Sequence, residues 1–285
     1  MIEILQRSYN PHSDTTLTTL VAEYPRIIHA ELLTHRVFSR NSASSRAIPS
    51  LSMTELVLNN PFIPEQWFKN AKGMSPAELL DVESAEECKK IWMELIEFTA
   101  AKVKRLTELQ LHKSYANRPL EPFSYIKVII SGTEWDNFYN LRCNRPAQEE
   151  FVKLANAIKE AQNNYAPIAL KEGQWHLPFI KSVENSKGIV EYYDNTGNRL
   201  SLEEARIVSA SCCAQISYRK EDSTIEKARN IFKQLIESDP AHFSPVEHQA
   251  TPIVESSYDG ITHIDKYGNK WSGNLKGWLQ WRQLL

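Results

Sequence analysis

The segment His35-Arg36-Val37-Phe38-Ser39-Arg40-Asn41-Ser42-Ala43-Ser44-Ser45-Arg46 carries three arginines, one histidine, one asparagine and four serines, and no acid. Planar guanidinium forks beside short hydroxyl and amide donors suit the oxygens of a phosphate. Three arginines without a carboxylate are costly to hold together unless an anion joins them. The competing reading is a solvated serine-rich loop that caps a helix. A second cluster runs from Thr133 to Glu150, where Asn137, Asn140 and Arg142 accompany Trp135, Phe138 and Leu141. Arg142 would lie half buried beside aromatics, and a buried guanidinium needs either an acid of the protein or an ionisable ligand. Asp136, Glu149 and Glu150 are the nearby acids for a purely structural pair. The third cluster is His242-Phe243-Ser244-Pro245-Val246-Glu247-His248. Its histidine spacing fits no helical ligand pair and Pro245 breaks the helix such a pair needs, so no metal site is expected.

Other chemistries are excluded by pattern. The chain has 9 glycines and lacks G-x-G-x-x-G, Walker, G-x-S-x-G and H-E-x-x-H motifs, so any anion must be held by side chains and helix N-termini. The 33 Lys+Arg against 35 Asp+Glu leave a net charge of -2, which disfavours a nucleic-acid or membrane-surface binder. No apolar run reaches the roughly 20 residues of a membrane span, and the first residues do not read as a signal peptide. A cytoplasmic location is expected. Cys88, Cys143, Cys212 and Cys213 form no C-x-x-C pair and read as reduced thiols.

The elements that must position these clusters are mixed. Apolar spacing predicts helices over Pro25–Thr34, Ser84–Ser114, Glu149–Gln162, Ser201–Ser211 and Ser223–Ile236. Ser201 with Glu204 forms a capping box. Thr16–Tyr24, Tyr125–Ile130 and Ala250–Val254 read as strands, while Asn195–Asn198 and Lys266–Asn269 read as hairpin turns. Ser244-Pro245 reads as an N-cap followed by the first helical position. The expected class is α+β with an antiparallel sheet. A single domain over residues 1–285 is expected, with a hairpin excursion near 170–200 and a tail over 256–285.

Taken together, the clusters resemble the flavin-dependent thymidylate synthases. Residues 34–46 match that family's R-H-R-x-x-S-x-N-x-x-S-x-R signature at all but its first arginine, here Thr34. Asn137-Phe138-Tyr139-Asn140-Leu141-Arg142, followed by Ala147-Gln148, is similar to its N-F-x-x-L-R…A-Q-x-E block. Segments similar to its R-V-S-F and H-x-T-P-F-E-H motifs, Gln215–Tyr218 and His242–His248, lie near the C-terminus rather than before the signature. The order reads as a circular permutation, tolerated where termini are exposed and close. The likeness covers roughly residues 15–165 and 205–255. Thr34, Glu31 (for a common Gln) and Ser42 (for a common Glu) depart from the pattern.

The resemblance implies reductive methylation of dUMP to dTMP, with FAD as cofactor and NADPH and 5,10-methylenetetrahydrofolate as co-substrates. It implies a homotetramer with shared active sites. Arg142 would be the catalytic residue at the uracil edge. Glu31, Ser44, Ser45, Arg46, Arg118 and Arg142 would bind dUMP; His35, Arg36, Asn137, Ser217, Ser244 and Glu247 would bind FAD. The alternatives are hydroxymethylation of a pyrimidine deoxynucleotide and a nucleotide- or flavin-binding homologue without catalysis. Cys143 follows Arg142, but helical neighbours point about 100° apart, so it is not expected to be a nucleophile.

Overall fold

The computed structural model describes all residues except 74–77, 145–146, 187, 217–223 and 257–258. Its centre is a sheet of β1 (Ile2–Asn10), β2 (Thr15–Pro25), β3 (Ser39–Ser42), β4 (Tyr125–Gly132) and β5 (Ile168–Ala169), in the order β3-β4-β2-β1-β5. All neighbours are antiparallel except β1 and β5. Between β2 and β3 lies a 3-10 turn (Arg26–Ile28) and a single turn of helix, α1 (His29–Leu32). The helix expected over Pro25–Thr34 is therefore much shorter, because Pro25 still pairs with Tyr125 in the sheet.

Alternation gives the sheet two buried faces. Leu20, Ala22 and Tyr24 of β2 and Ile126, Val128 and Ile130 of β4 face one way. They pack against α5 (Asp136–Arg142) and α6 (Glu149–Asn163) through Phe138, Phe151, Leu154 and Ile158. Such burial stabilises by about 25 cal/mol per Å² of apolar surface. On β1 a bulge between Ile4 and Gln6 shifts the register. An extra residue reverses which side faces in, so Ile2 and Ile4 pack with the helices while Ser8 belongs to the opposite face.

That opposite face is covered by the second half of the chain. It comprises β6 (Lys181–Glu184), β7 (Val190–Tyr193), β8 (Arg199–Leu200), α7 (Leu202–Ala214), α8 (Ile225–Leu235), β9 (Ala250–Pro252), β10 (His263–Ile264), β11 (Lys270–Ser272), β12 (Leu275–Lys276) and β13 (Trp278–Gln280). The excursion near 170–200 is a three-stranded sheet, β6-β7-β8, and the tail supplies β10 to β13. The interface holds a chain of wholly buried polar groups. Ser8 Oγ meets His176 Nδ1 at 2.8 Å, and His176 Nε2 meets Thr19 Oγ1 at 2.8 Å. Thr19 Oγ1 lies 2.6 Å from Ser131 Oγ, which meets His248 Nδ1 at 2.8 Å. Burial pushes both histidines down to about 3, so they are neutral links.

A third layer of α2 (Ser50–Asn59), α3 (Val82–Glu108) and α4 (Lys113–Ala116) leads into a 3-10 segment, Arg118–Phe123. Met53, Val57, Ile96, Ala100, Val103 and Leu120 form its core. Helix α3 is capped by the Asp81 side chain and stops before the expected Ser114, with Gln110 in the left-handed region at φ 61°.

Candidate functional site

The segment that reads as a phosphate loop is in part a strand. Ser39–Ser42 forms the sheet edge beside β4, with Arg40 opposite Ile130. Its side chains alternate. Ser39 and Asn41 turn toward the second half, where Ser39 Oγ accepts from Gln280 Nε2 at 3.0 Å and Asn41 Nδ2 donates to Cys213 O at 2.8 Å. Arg40 turns the other way and donates to Leu32 O at 3.1 Å and His35 O at 3.2 Å. The end of α1 thereby gains a donor for its open carbonyls. One of the three arginines is thus held by backbone oxygens rather than by an anion.

His35 leaves α1 into an aromatic nest, its ring 5.0 Å from Phe138 and 6.1 Å from Phe38. Arg142, at the end of α5, donates from Nε to His35 Nε2 at 3.0 Å and lies over the Phe151 ring at 4.4 Å. Burial, then the charges of Arg142 and Arg40, hold His35 down to about 4. It is a neutral acceptor at pH 7, and its remaining nitrogen carries the proton. The carboxylate nearest Arg142 is Glu31, at 3.8 Å, and not Asp136, Glu149 or Glu150. That loose pair contributes about 0–1 kcal/mol. With Nε engaged by His35, the Nη edge of Arg142 remains as a planar fork beside Glu31. Glu31, His35 and Arg142 are therefore one constellation, with His35 and Arg142 drawn from the two segments the sequence singled out and Glu31 from α1.

Ser44, Ser45 and Arg46 form a turn beyond β3. Arg46 N donates to Ser44 Oγ at 3.3 Å, and the turn is pinned by Asn117, whose Nδ2 donates to Ser45 O at 2.8 Å and Ile48 O at 2.9 Å. Asn117 is wholly buried and was not apparent in the sequence, although it precedes the expected Arg118. Arg118 ion-pairs with Glu121 at 2.9 Å, which Arg26 also approaches at 3.2 Å. No hydrogen bond or ion pair among the described residues joins this turn to His35 or Arg142.

Arg36, Asn137 and Ser244 are exposed. Ser244 is not the expected N-cap: the 3-10 turn Ser244–Glu247 is preceded by Phe243 and has no side-chain cap, since Ser244 already lies within its first turn. The Glu247 carboxylate pairs closely with Arg282 and its carbonyl accepts from Gln280 at 2.9 Å. Ser217 lies outside the described residues. Thr34 turns its hydroxyl onto Glu31 O at 2.6 Å. Cys143 packs against the core of the helical face.

The donor set suits an anionic group such as a phosphate. Neither Arg36 nor Arg46 forms an ion pair among the described residues. The Ser45 hydroxyl at the turn is buried without a hydrogen-bond partner, an arrangement that a bound group or a small shift of the turn would satisfy. Among the described residues no group of three or more His, Cys, Asp or Glu could hold a metal, and no helix is long and apolar enough to cross a membrane.

A family model described as thymidylate synthase complementing protein matches residues 6–168. No curated protein matches the chain. Among solved structures, the chain is similar to a UMP/dUMP methylase, PolB from Streptomyces cacaoi. Its 5-Br UMP complex has 14% identity and a TM-score of 0.48, covering 57% of this chain and 88% of that one. Its 5-Br dUMP complex has 13% identity and a TM-score of 0.46, covering 57% and 89%.

Proposed function

The chain belongs to the thymidylate synthase complementing protein family, and from that premise we propose that it methylates dUMP at C5 to give dTMP. The overall reaction consumes 5,10-methylenetetrahydrofolate and NADPH with a proton, and yields dTMP, tetrahydrofolate and NADP+. FAD, when bound, carries the hydride, and the folate supplies the one-carbon unit.

The observation that carries this reading is the Glu31–His35–Arg142 constellation. Arg142 is held by His35 and Phe151, so its fork is oriented before a ligand arrives. A cation beside N3 of uracil favours loss of that proton, because it stabilises the anion that forms. His35 stays neutral and keeps the guanidinium aligned without adding a second charge. Glu31 would contact the nucleotide. Ser44, Ser45, Arg46 and Arg118 would hold the phosphate, with Arg118 exchanging Glu121 for it. His35, Arg36, Asn137, Ser217, Ser244 and Glu247 would hold FAD, Glu247 through its backbone or after release from Arg282.

A homotetramer is part of the proposal. Leu33, Val37 and Leu141, close in sequence to His35 and Arg142, are 45%, 40% and 54% exposed, and a partner subunit would cover them. The motif order is read as a circular permutation. In support, Ser39 of the signature and Glu247 of the C-terminal motif share one donor, Gln280.

The test is incubation of the purified protein with dUMP, methylenetetrahydrofolate, FAD and NADPH, with products identified by mass. A gain of one methyl group is expected. A hydroxymethyl product would transfer the assignment to the sister reaction. Binding of nucleotide and flavin without either product would leave a non-catalytic homologue, the outcome that the absent arginine at Thr34 favours.

A further inference from the structure

Residues 256–285 lie outside the family-matched segment. Yet strand β13 of this tail reaches the signature. Gln280 is 2% exposed and pairs in register with Ala250 of β9. Its Nε2 donates both available protons: one to Ser39 Oγ at 3.0 Å, one to Glu247 O at 2.9 Å. Its own backbone N–H donates to Ser272 Oγ at 3.1 Å, and the next residue, Trp281, donates to Gln249 O at 2.9 Å. Gly273 leaves room for the amide: its φ is 57°, and a Cβ there would overlap Gln280 Oε1.

Burying an amide costs more than burying a methionine of similar size, unless its hydrogen bonds are all made. Here they tie together two elements that share no other side-chain bond with each other among the described residues: the signature strand and the turn Ser244–Glu247. Ser39 is followed by Arg40, which bonds the His35 carbonyl, and His35 accepts from Arg142. A continuous path of hydrogen bonds and backbone therefore runs from the tail to the guanidinium fork.

We propose that Gln280 is a positioning residue, and that the tail sets the spacing between the signature strand and the turn Ser244–Glu247 on which flavin binding depends. The inference rests on the flavin reading of this site. Losing the hydrogen bonds of this amide is expected to weaken flavin binding about 10-fold.

The test is FAD affinity of the full-length protein, read by flavin fluorescence, for the wild type, Gln280→Met, Ser39→Ala and the double variant. Melting temperature is measured alongside. Each single variant should bind FAD about 10-fold more weakly while melting cooperatively, and the double variant should bind no worse than about 3-fold beyond either single, because both remove the shared Gln280–Ser39 bond. Wild-type affinity in a folded Gln280→Met overturns the proposal alone, as does full additivity in the double variant. If Gln280→Met does not fold, Ser39→Ala decides, and wild-type affinity there overturns it. A wild type without measurable affinity for FAD at high micromolar concentration overturns the flavin reading itself, and this inference with it.

Discussion

Replacing Arg142 by lysine separates a reacting-site arginine from a structural one. In the fold, Arg142 makes one charged-donor bond to His35 at 3.0 Å and lies over Phe151 at 4.4 Å. Such a bond is worth about 1.5–3 kcal/mol, and the ring contact about 0.5–2 kcal/mol. An ammonium recovers part of each, so a stability loss of about 1–2 kcal/mol is expected. Glu31, at 3.8 Å, adds little to that figure. Catalysis should suffer more. A lysine can make one bond to the uracil edge but not two parallel ones, and loss of one preorganised electrostatic contact costs about 100-fold in turnover. The assay is dTMP formation under saturating substrates, with FAD content, dUMP affinity and melting temperature measured on the same preparation. FAD content should stay near normal, which excludes a collapse of the His35 nest as the cause. The rate should also rise more steeply with pH than in the wild type, since bulk base must replace the help with the N3 proton. Wild-type turnover in Arg142→Lys would refute the reasoning and leave Arg142 as a structural residue.

Three further outcomes follow from the same geometry. Cys143→Ala should keep turnover within about 3-fold and lose about 1 kcal/mol of stability, because its thiol packs into the core rather than beside the fork; abolished turnover in a folded, FAD-binding variant would make it a nucleophile. Gly132→Ala should destabilise by about 1–3 kcal/mol in denaturant unfolding, since a Cβ there sits 2.7 Å from a Phe38 ring already held 4.3 Å from Trp135; an unchanged midpoint would contradict that packing. Stability should fall on acidification from pH 7 toward 5. His176 and His248 are held down to about 3 by burial, against about 6.5 when unfolded, so the unfolded chain binds more protons throughout that window. Each contributes a loss of about 1.4 kcal/mol per pH unit below 6.5 until the folded value is reached, and equal denaturant stability at pH 7 and pH 5 would refute the neutral buried pair.

What was legible in the sequence was local. The Ser201–Glu204 capping box forms as expected, because both partners lie within one turn. The hairpin turns at 195–198 and 266–269 form as well, each closed by an aspartate, Asp194 or Asp265, accepting backbone N–H groups inside its own loop. Strands β2 and β4 and helix α6 carried their burial in their period. The signature's own conformation was not legible. Ser39-Arg40-Asn41-Ser42 has little intrinsic preference for a strand; it is extended because β4 pairs with it and because Gln280 and the Cys213 carbonyl bind alternate side chains from far along the chain. Asn117 was hidden for the same reason, as its partners are the carbonyls of a distant turn. His35 and Arg142 were recognisable by type and Glu31 through the family resemblance, but their contact required helices α1 and α5 to meet over one face of the sheet.

In the proposed site, the alternation within β3 lets one short strand carry groups at both its ends. Four residues of strand span about 13 Å at about 3.3 Å each. At one end lies His35 with its guanidinium partner; at the other lies the turn of Ser44, Ser45 and Arg46, pinned by Asn117. Between them every side chain with a bond in the fold is spent on fixing the strand: Ser39 and Asn41 to the second half of the chain, Arg40 to the carbonyls that end α1. All three are tied into the fold, although by composition they were as good ligand candidates as their neighbours. The signature thus divides into residues that hold a ruler in place and residues that stand at its two marks. A base-recognising group at one mark and a phosphate-recognising group at the other would be kept at a set separation by strand geometry, which is stiff, rather than by a loop, which is not.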